Sequence, residues 1–413
     1  TPEAGIVVPE VLVGRRVHEQ DRSREGLARN RVGREREGLA DGDGGEVFRG
    51  DGDGEIQEPV VDDPEHDLGR AHLAHQIADV HAPVGDDPIA TAHRILILGG
   101  GTGGTLTANR LQRLYGDDAE ILVVDRDDRH VYQPGLLFVP FGLAEPEEIV
   151  RPRAKYLHDG IQFRVGEVDR VEVAQNAVHL TDGTTLPYDV LVVATGASLL
   201  PEETEGMTGP GWNESVFTFY TLEGAVALRD ALASFDGGRL VVNLVDMPIK
   251  CPVAPLEFCF LADWFLQERG VRDHVELTFV TPLDGAFTKP VASRTLAGLL
   301  EEKGIALETE FATGRVDGET GRLISWDERE IPFDLLVTIP LHGGPEYVAR
   351  SPGLGDDLGF VATDPHTLQA KAAPNVFAIG DAANVPTSKA GSVTHFEGET
   401  LVENVRRFLD GEP

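Results

Sequence analysis

Arg94-Ile95-Leu96-Ile97-Leu98-Gly99-Gly100-Gly101-Thr102-Gly103-Gly104-Thr105-Leu106 is the stretch that decides how this chain folds. Ile95 to Leu98, four apolar residues in a row, read as a strand buried on both faces of a parallel sheet. Gly99, Gly101 and Gly104 then fall on the G-x-G-x-x-G spacing of a dinucleotide-binding turn. The first glycine permits the tight turn. The second lets backbone approach a pyrophosphate, and the third lets the following helix pack on the strand. That helix, from Thr102 onward, aims its first N–H groups at the phosphates. A second strand, Glu120 to Val124, delivers Asp125, 21 residues after Gly104, where an acid that binds ribose belongs.

Outward from this unit, 413 residues suffice for two or three domains around large cores. The formal charge of −34 repels nucleic acid and anionic lipid, so neither is expected as a partner. Only six basic residues are lysine. Two readings of that bias stay open: a salt-rich cytoplasm that screens dense like charge, or a GC-rich genome that favours Arg. Cys251 and Cys259 are too few for a secreted disulfide scaffold. No apolar run of about 18 residues and no signal peptide is present. A cytoplasmic location is therefore expected, with at most peripheral contact with the inner face of the plasma membrane.

Residues 1–92 differ from the rest: they carry no Lys, Cys, Met, Trp or Tyr and a single Phe. Asp-Gly runs such as Asp41-Gly42-Asp43-Gly44 interrupt any periodicity. They lack the bidentate Glu and the spacing of a calcium loop. So polar a segment cannot offset its chain entropy by burial, and it reads as a disordered or mistranslated extension. Beyond the second strand, residues 161–193 read as short strands with a hairpin at Thr181-Asp182-Gly183-Thr184. They lead to the buried strand Val190–Val193 and the turn Ala194-Thr195-Gly196. Near the other end Val376-Phe377-Ala378-Ile379-Gly380-Asp381 repeats the design of a strand that delivers an acid at its tip. Residues 211–343 lie between as a second α/β unit. Strands are expected near 239–245 and 275–280, helices near 221–235 and 253–269, and a return strand over 334–340.

These motifs, in this order, resemble the flavoprotein reductases built from two dinucleotide-binding domains. The resemblance implies an α/β fold of two Rossmann-like domains, the second inserted in the first. The first domain, 93–210 with a return segment 344–413, holds FAD, and the second spans 211–343. The cofactor-binding residues it implies are Gly99, Gly101, Gly104, Asp125, Thr195, Gly196, Gly380 and Asp381. Asp125 takes the ribose, and Asp381 the ribityl–pyrophosphate region.

Members that use NAD(P)H carry a second glycine fingerprint after the first strand of the inserted domain. Here no glycine lies between Gly238 and Gly270. Side chains would block approach to a pyrophosphate, and Pro248, Pro252 and Pro255 supply no N–H. A nicotinamide nucleotide is therefore not expected there. Cys251 stands in its place, just before Pro252 and a helical stretch that stops at Gly270. The helix dipole and neighbouring Lys250 are expected to lower its pKa and make it a nucleophile. Cys259, among Phe258, Phe260 and Leu261, reads as core, about 12 Å away along a helix and too far to bridge.

The replacement narrows the resemblance to the sulfide:quinone oxidoreductase and flavocytochrome c sulfide dehydrogenase branch. Lys250-Cys251-Pro252, Ile339-Pro340-Leu341-His342-Gly343-Gly344 and Pro386-Thr387-Ser388-Lys389-Ala390-Gly391 are similar to its segments. The resemblance implies that sulfide is captured through Cys251, that FAD takes two electrons, and that a quinone receives them. Lys389 would lie near the flavin pyrimidine ring, where a cation stabilises the reduced form. His342 and His395 are candidate proton carriers. His130, His158, His179, His274 and His366 read as surface residues, and no Cys/His spacing suits zinc.

The sequence departs from the branch in three ways. Gly355 stands where a second redox cysteine is usual, and Tyr220 stands at or near the position of an accessory third. The C-terminal amphipathic helices of relatives are not found before Pro413, which leaves open a soluble variant or a truncated chain. A homodimer is expected. Two rival functions remain: a type II NADH:quinone oxidoreductase, and a flavin-binding sensor or scaffold without turnover.

Overall fold

The computed structural model describes residues 92–412. The extension expected over 1–92 lies, residue 92 aside, outside the described residues. Five parallel strands form the first sheet, in the spatial order Val376–Ala378, Val190–Val193, His93–Leu98, Ala119–Asp125, Gln162–Val165. Central strands must be apolar on both faces, and Ile97, Leu98, Val190 and Val192 are fully buried. Each such side chain contributes about 1.5–3 kcal/mol of burial. One face packs on the helices Thr102–Tyr115 and Gly391–Leu409 through Ala108, Leu111, Leu401 and Val405. The other meets an antiparallel meander, Val168–Glu172, Ala177–Leu180 and Thr185–Pro187. Its second turn is the hairpin expected at 181–184: Asp182 accepts from the Thr184 amide at 2.8 Å, and Gly183 sits at φ +85.

A second five-stranded parallel sheet runs Val216–Phe217, Leu335–Ile339, Gly238–Leu244, Val275–Val280, Ala306–Glu308. It too carries a meander, Thr313–Asp317, Arg322–Ser325 and Glu330–Pro332. All its strands fall between Val193 and Val376, so the second unit is inserted in the first. A clasp repeats in both units. Arg94 donates its amide, Nε and Nη2 to Asp189 at 2.8, 3.2 and 2.6 Å. Arg239 does the same to Asp334 at 2.8, 2.9 and 2.9 Å, with the same separation of 95 residues. In each case the central strand of the sheet is pinned to the strand that returns beside it. Both pairs are near half exposed, so each adds only about 0.2–1 kcal/mol.

The units are joined by an antiparallel ribbon. Ser198–Leu200 leads out and Leu341–Gly343 leads back, with Leu199 opposite His342. The helices expected near 221–235 and 253–269 are Leu222–Ser234, capped by the Thr221 side chain, and Ala254–Glu268. The second helix begins later than Pro252 implies. Cys251 at φ +45 keeps residues 251–253 in a turn, and Pro255 takes the first-turn position. The last helix runs Gly391–Leu409.

Candidate functional site

The glycine turn has the shape its sequence requires. A Cβ on Gly99 would meet the Ala194 carbonyl, and one on Gly104 would run into the carbonyl of Gly99. Beside Gly101 there is open space, and no side chain caps the helix that follows. Its first N–H groups have no helical partner. An anionic pyrophosphate fits this cradle. Asp125 stands at the tip of the second strand, where its Oδ2 accepts from the Gly100 amide at 2.6 Å and its Oδ1 from the Arg126 amide at 2.7 Å.

Beyond the tip of the neighbouring strand Val190–Val193, Thr195 shares a hydrogen bond of 2.9 Å with the Tyr347 hydroxyl, and Gly196 sits at φ +71. Gly380, at φ +66, donates its amide to Glu397 Oε2 at 2.8 Å. Burial pushes the Asp381 carboxyl up, while the ammonium groups of Lys250 and Lys389 draw it back. These residues fit the dinucleotide FAD: a cradle for phosphate, acids for hydroxyl groups, and cations beside the second acid.

The inserted unit reaches this place through the loop 245–253. The Cys251 amide donates to the Lys389 carbonyl at 2.7 Å, and Lys250 and Lys389 pair as a parallel bridge. Tyr220 donates its hydroxyl to the Cys251 carbonyl at 3.3 Å and meets the His342 ring edge-on at 5.5 Å. Lys389 is buried. Its ammonium donates to the carbonyls of Asp381 and Ala383 at 2.9 and 3.1 Å and lies 3.8 Å over the Phe360 ring. Burial lowers its pKa, and Asp381 opposes the shift. Three of the four candidates, Cys251, Lys389 and His342, thus share one cluster. His395 stands on the first turns of the last helix, exposed beside the Phe396 ring.

The cysteine departs from expectation. The residue is exposed, yet surrounding protein desolvates its thiol and the nearby Glu257 carboxylate opposes a second negative charge. The thiol is pushed up to about 11, not down. The Ala254 and Val253 amides pull the other way and do not win. Lys250 turns its ammonium to Gln133 Oε1 at 3.1 Å. Cys259 is fully buried in the core, as expected, and burial raises its thiol.

His342 stands in the returning strand of the ribbon. It is buried, its Nδ1 lies 2.9 Å from the Pro340 carbonyl, and its Nε2 has no partner. Burial, then the Lys250 ammonium, lowers its pKa to about 3, so the ring is neutral near pH 7. Two histidines read as surface residues are not exposed. His130 packs on Tyr156 with its Nδ1 3.4 Å from the Gly100 carbonyl, and His179 is half-buried beside Glu172. Sequence reasoning missed Arg153, Glu397, Glu257, Tyr347 and Phe360. None belongs to a local motif. Only the fold brings them to the site.

Residues 93–243 match the pyridine nucleotide-disulphide oxidoreductase family model. The mitochondrial sulfide:quinone oxidoreductase of Mus musculus is 27% identical over 306 residues, 73% of this chain and 68% of that protein. The alternative NAD(P)H-ubiquinone oxidoreductase C1 of Arabidopsis thaliana is 28% identical over 341 residues, covering 71% of this chain and 62% of that one. The solved sulfide:quinone oxidoreductase of Aquifex aeolicus superposes with a TM-score of 0.69 at 21% identity, covering 78% of each chain. No helix among the described residues is long and apolar enough to cross a membrane.

Proposed function

From this similarity to the sulfide:quinone oxidoreductases we propose that the chain is an FAD-dependent oxidoreductase that passes electrons from sulfide to a quinone. The observation that carries the reading is the tie between the Cys251 amide and the Lys389 carbonyl. It holds an exposed cysteine and Lys250 beside the segment that bears Asp381 and Lys389. In the net reaction sulfide loses two electrons and its sulfur is left at the sulfane level, while a quinone gains two electrons and two protons. FAD supplies reversible two-electron acceptance between the two substrates.

Cys251 binds the sulfur. Its thiol is protonated near neutral pH, so it must lose a proton to act. Glu257, whose own carboxyl is raised by burial, is the nearby acid–base group. Lys389 holds positive charge where reduction deposits negative charge. A lipid-borne quinone draws the protein to a membrane surface, in keeping with peripheral contact from the cytoplasmic side. The expected homodimer is part of this proposal and is read by sedimentation.

The second reading, a type II NADH:quinone oxidoreductase, draws on the Arabidopsis relative. It must place a pyrophosphate against the loop 245–253, whose Cys251 amide is already taken by Lys389. Anaerobic addition of sulfide and of NADH, in separate samples, decides between the two. Bleaching of the flavin band near 450 nm by sulfide, reversed by quinone, is the expected result. Bleaching by NADH alone transfers the protein to the nicotinamide reading.

A further inference from the structure

Beside the glycine turn stands an arginine that no motif announced. The Arg153 side chain is about nine-tenths buried, as is that of Asp125. Its Nη1 donates to the Gly100 carbonyl at 2.9 Å, and Nη2 lies 3.3 Å from Asp125 Oδ2. Its Nε donates to the Asp127 carbonyl at 3.0 Å, and Nη2 reaches the Asp127 carboxylate at 3.3 Å. The backbone of Arg153 is itself anchored, its amide donating to Asp128 Oδ1 at 2.8 Å. One planar guanidinium thereby joins the glycine turn, the tip of the second strand and the loop after it.

We infer that Arg153 is a positioning residue for the adenosine-diphosphate half of the cofactor, acting through Gly100 and Asp125. The Gly100 peptide is gripped from both ends. Its amide is held by Asp125, and its carbonyl by Arg153 and by the Thr105 hydroxyl at 3.1 Å. The direction of the next amides, toward a pyrophosphate, follows from that grip. Asp125 has Oδ2 fixed between the Gly100 amide and the guanidinium and Oδ1 held by the Arg126 amide, so the carboxylate is locked and the lone pair left on Oδ1 faces a single direction. A ribose diol meets a carboxylate already oriented. His130, tilted against Tyr156 with ring centroids 4.8 Å apart, closes the same corner beside the Gly100 carbonyl. A lysine could not make these contacts, because it is a point charge without a fork.

The inference rests on the flavin reading and is tested by binding rather than turnover. FAD retention on dilution and competition by ADP are measured for the wild-type protein, Arg153→Ala, Arg153→Lys and Asp127→Ala. Arg153→Ala is expected to weaken FAD and ADP alike, by about tenfold to a hundredfold. Arg153→Lys recovers a small part. Asp127→Ala, which loosens the guanidinium without touching the turn, falls between. The gap in melting temperature between flavin-loaded and flavin-stripped protein shrinks in the same order. A purely structural arginine would lower both melting temperatures and leave the gap unchanged, and that result overturns the inference. So does equal binding of FAD and ADP by wild type and Arg153→Ala. A wild-type chain that binds neither ligand overturns the flavin reading, and this inference with it.

Discussion

The Cys251 amide donates to the Lys389 carbonyl at 2.7 Å, and through that bond the inserted unit touches the return segment of the first. The two residues lie far apart in sequence, in loops that follow strands of different sheets. The contact exists because the loop 245–253 is long enough to leave its own sheet, where a glycine turn would have stayed close to it. Cys251 adopts φ +45 there, a conformation unusual for a residue with a Cβ. Strain of this kind persists where surrounding contacts fix it. Here they are the Lys389 carbonyl and the Tyr220 hydroxyl.

Replacing Cys251 by Ser keeps the backbone bond and removes the sulfur. Flavin content and melting temperature should stay near wild type, while sulfide-driven quinone reduction falls by at least about a hundredfold. Steady-state quinone reduction with sulfide as donor checks this. Full turnover in Cys251→Ser would remove the cysteine from the reaction.

A thiol at about 11 alkylates slowly near neutral pH, and its rate should climb with pH well beyond the ordinary thiol range. Glu257 is the principal charge that raises it, after burial. Glu257→Gln removes that charge and should shift the iodoacetamide pH–rate curve of Cys251 to lower pH. Mass spectrometry distinguishes Cys251 from fully buried Cys259. A curve that stays in place would mean that burial alone holds the thiol up.

Local patterning made the sheets legible. Ile95 to Leu98 and the glycine spacing could only serve a buried strand and a close helix, and the missing fingerprint after Leu244 marked a different loop. What the chain did not disclose is set by long-range contact. The dipole argument for Cys251 treated the helix end as if it lay in water, whereas desolvation and Glu257 outweigh the amides. His130 looked like surface because its neighbours are charged, yet Tyr156 and the glycine turn cover it. Arg153 offered no spacing to read at all. The Arg94–Asp189 and Arg239–Asp334 clasps show the same limit, since two equal separations of 95 residues stand out only once each pair is seen to meet.

Lys389→Met tests the buried cation. The substitution leaves the carbonyls of Asp381 and Ala383 without their donor and ends the contact with Phe360, which should cost about 2–4 kcal/mol of stability. Loss of positive charge should also make the flavin harder to reduce, lowering its reduction potential. Chemical denaturation reads the first effect and a redox titration the second. An unchanged potential would separate Lys389 from the flavin.

His342 should make the fold acid-sensitive, and the sign follows from its two protonation states. In the unfolded chain the ring titrates at the ordinary 6.5, while in the folded protein burial and the ammoniums of Lys250 and Lys389 hold it to about 3. As pH falls below 6.5 the unfolded state gains a proton that the folded state refuses, and stability declines until about pH 3. The limiting slope from this one ring is about 1.4 kcal/mol per pH unit. His342→Asn keeps an N–H for the Pro340 carbonyl and has nothing to titrate. The wild type should therefore lose stability relative to His342→Asn as the pH is lowered from 7 to 4, in urea unfolding followed at each pH. Parallel curves would mean that the ring gains its proton in the folded state, which requires Nε2 to find a partner or water.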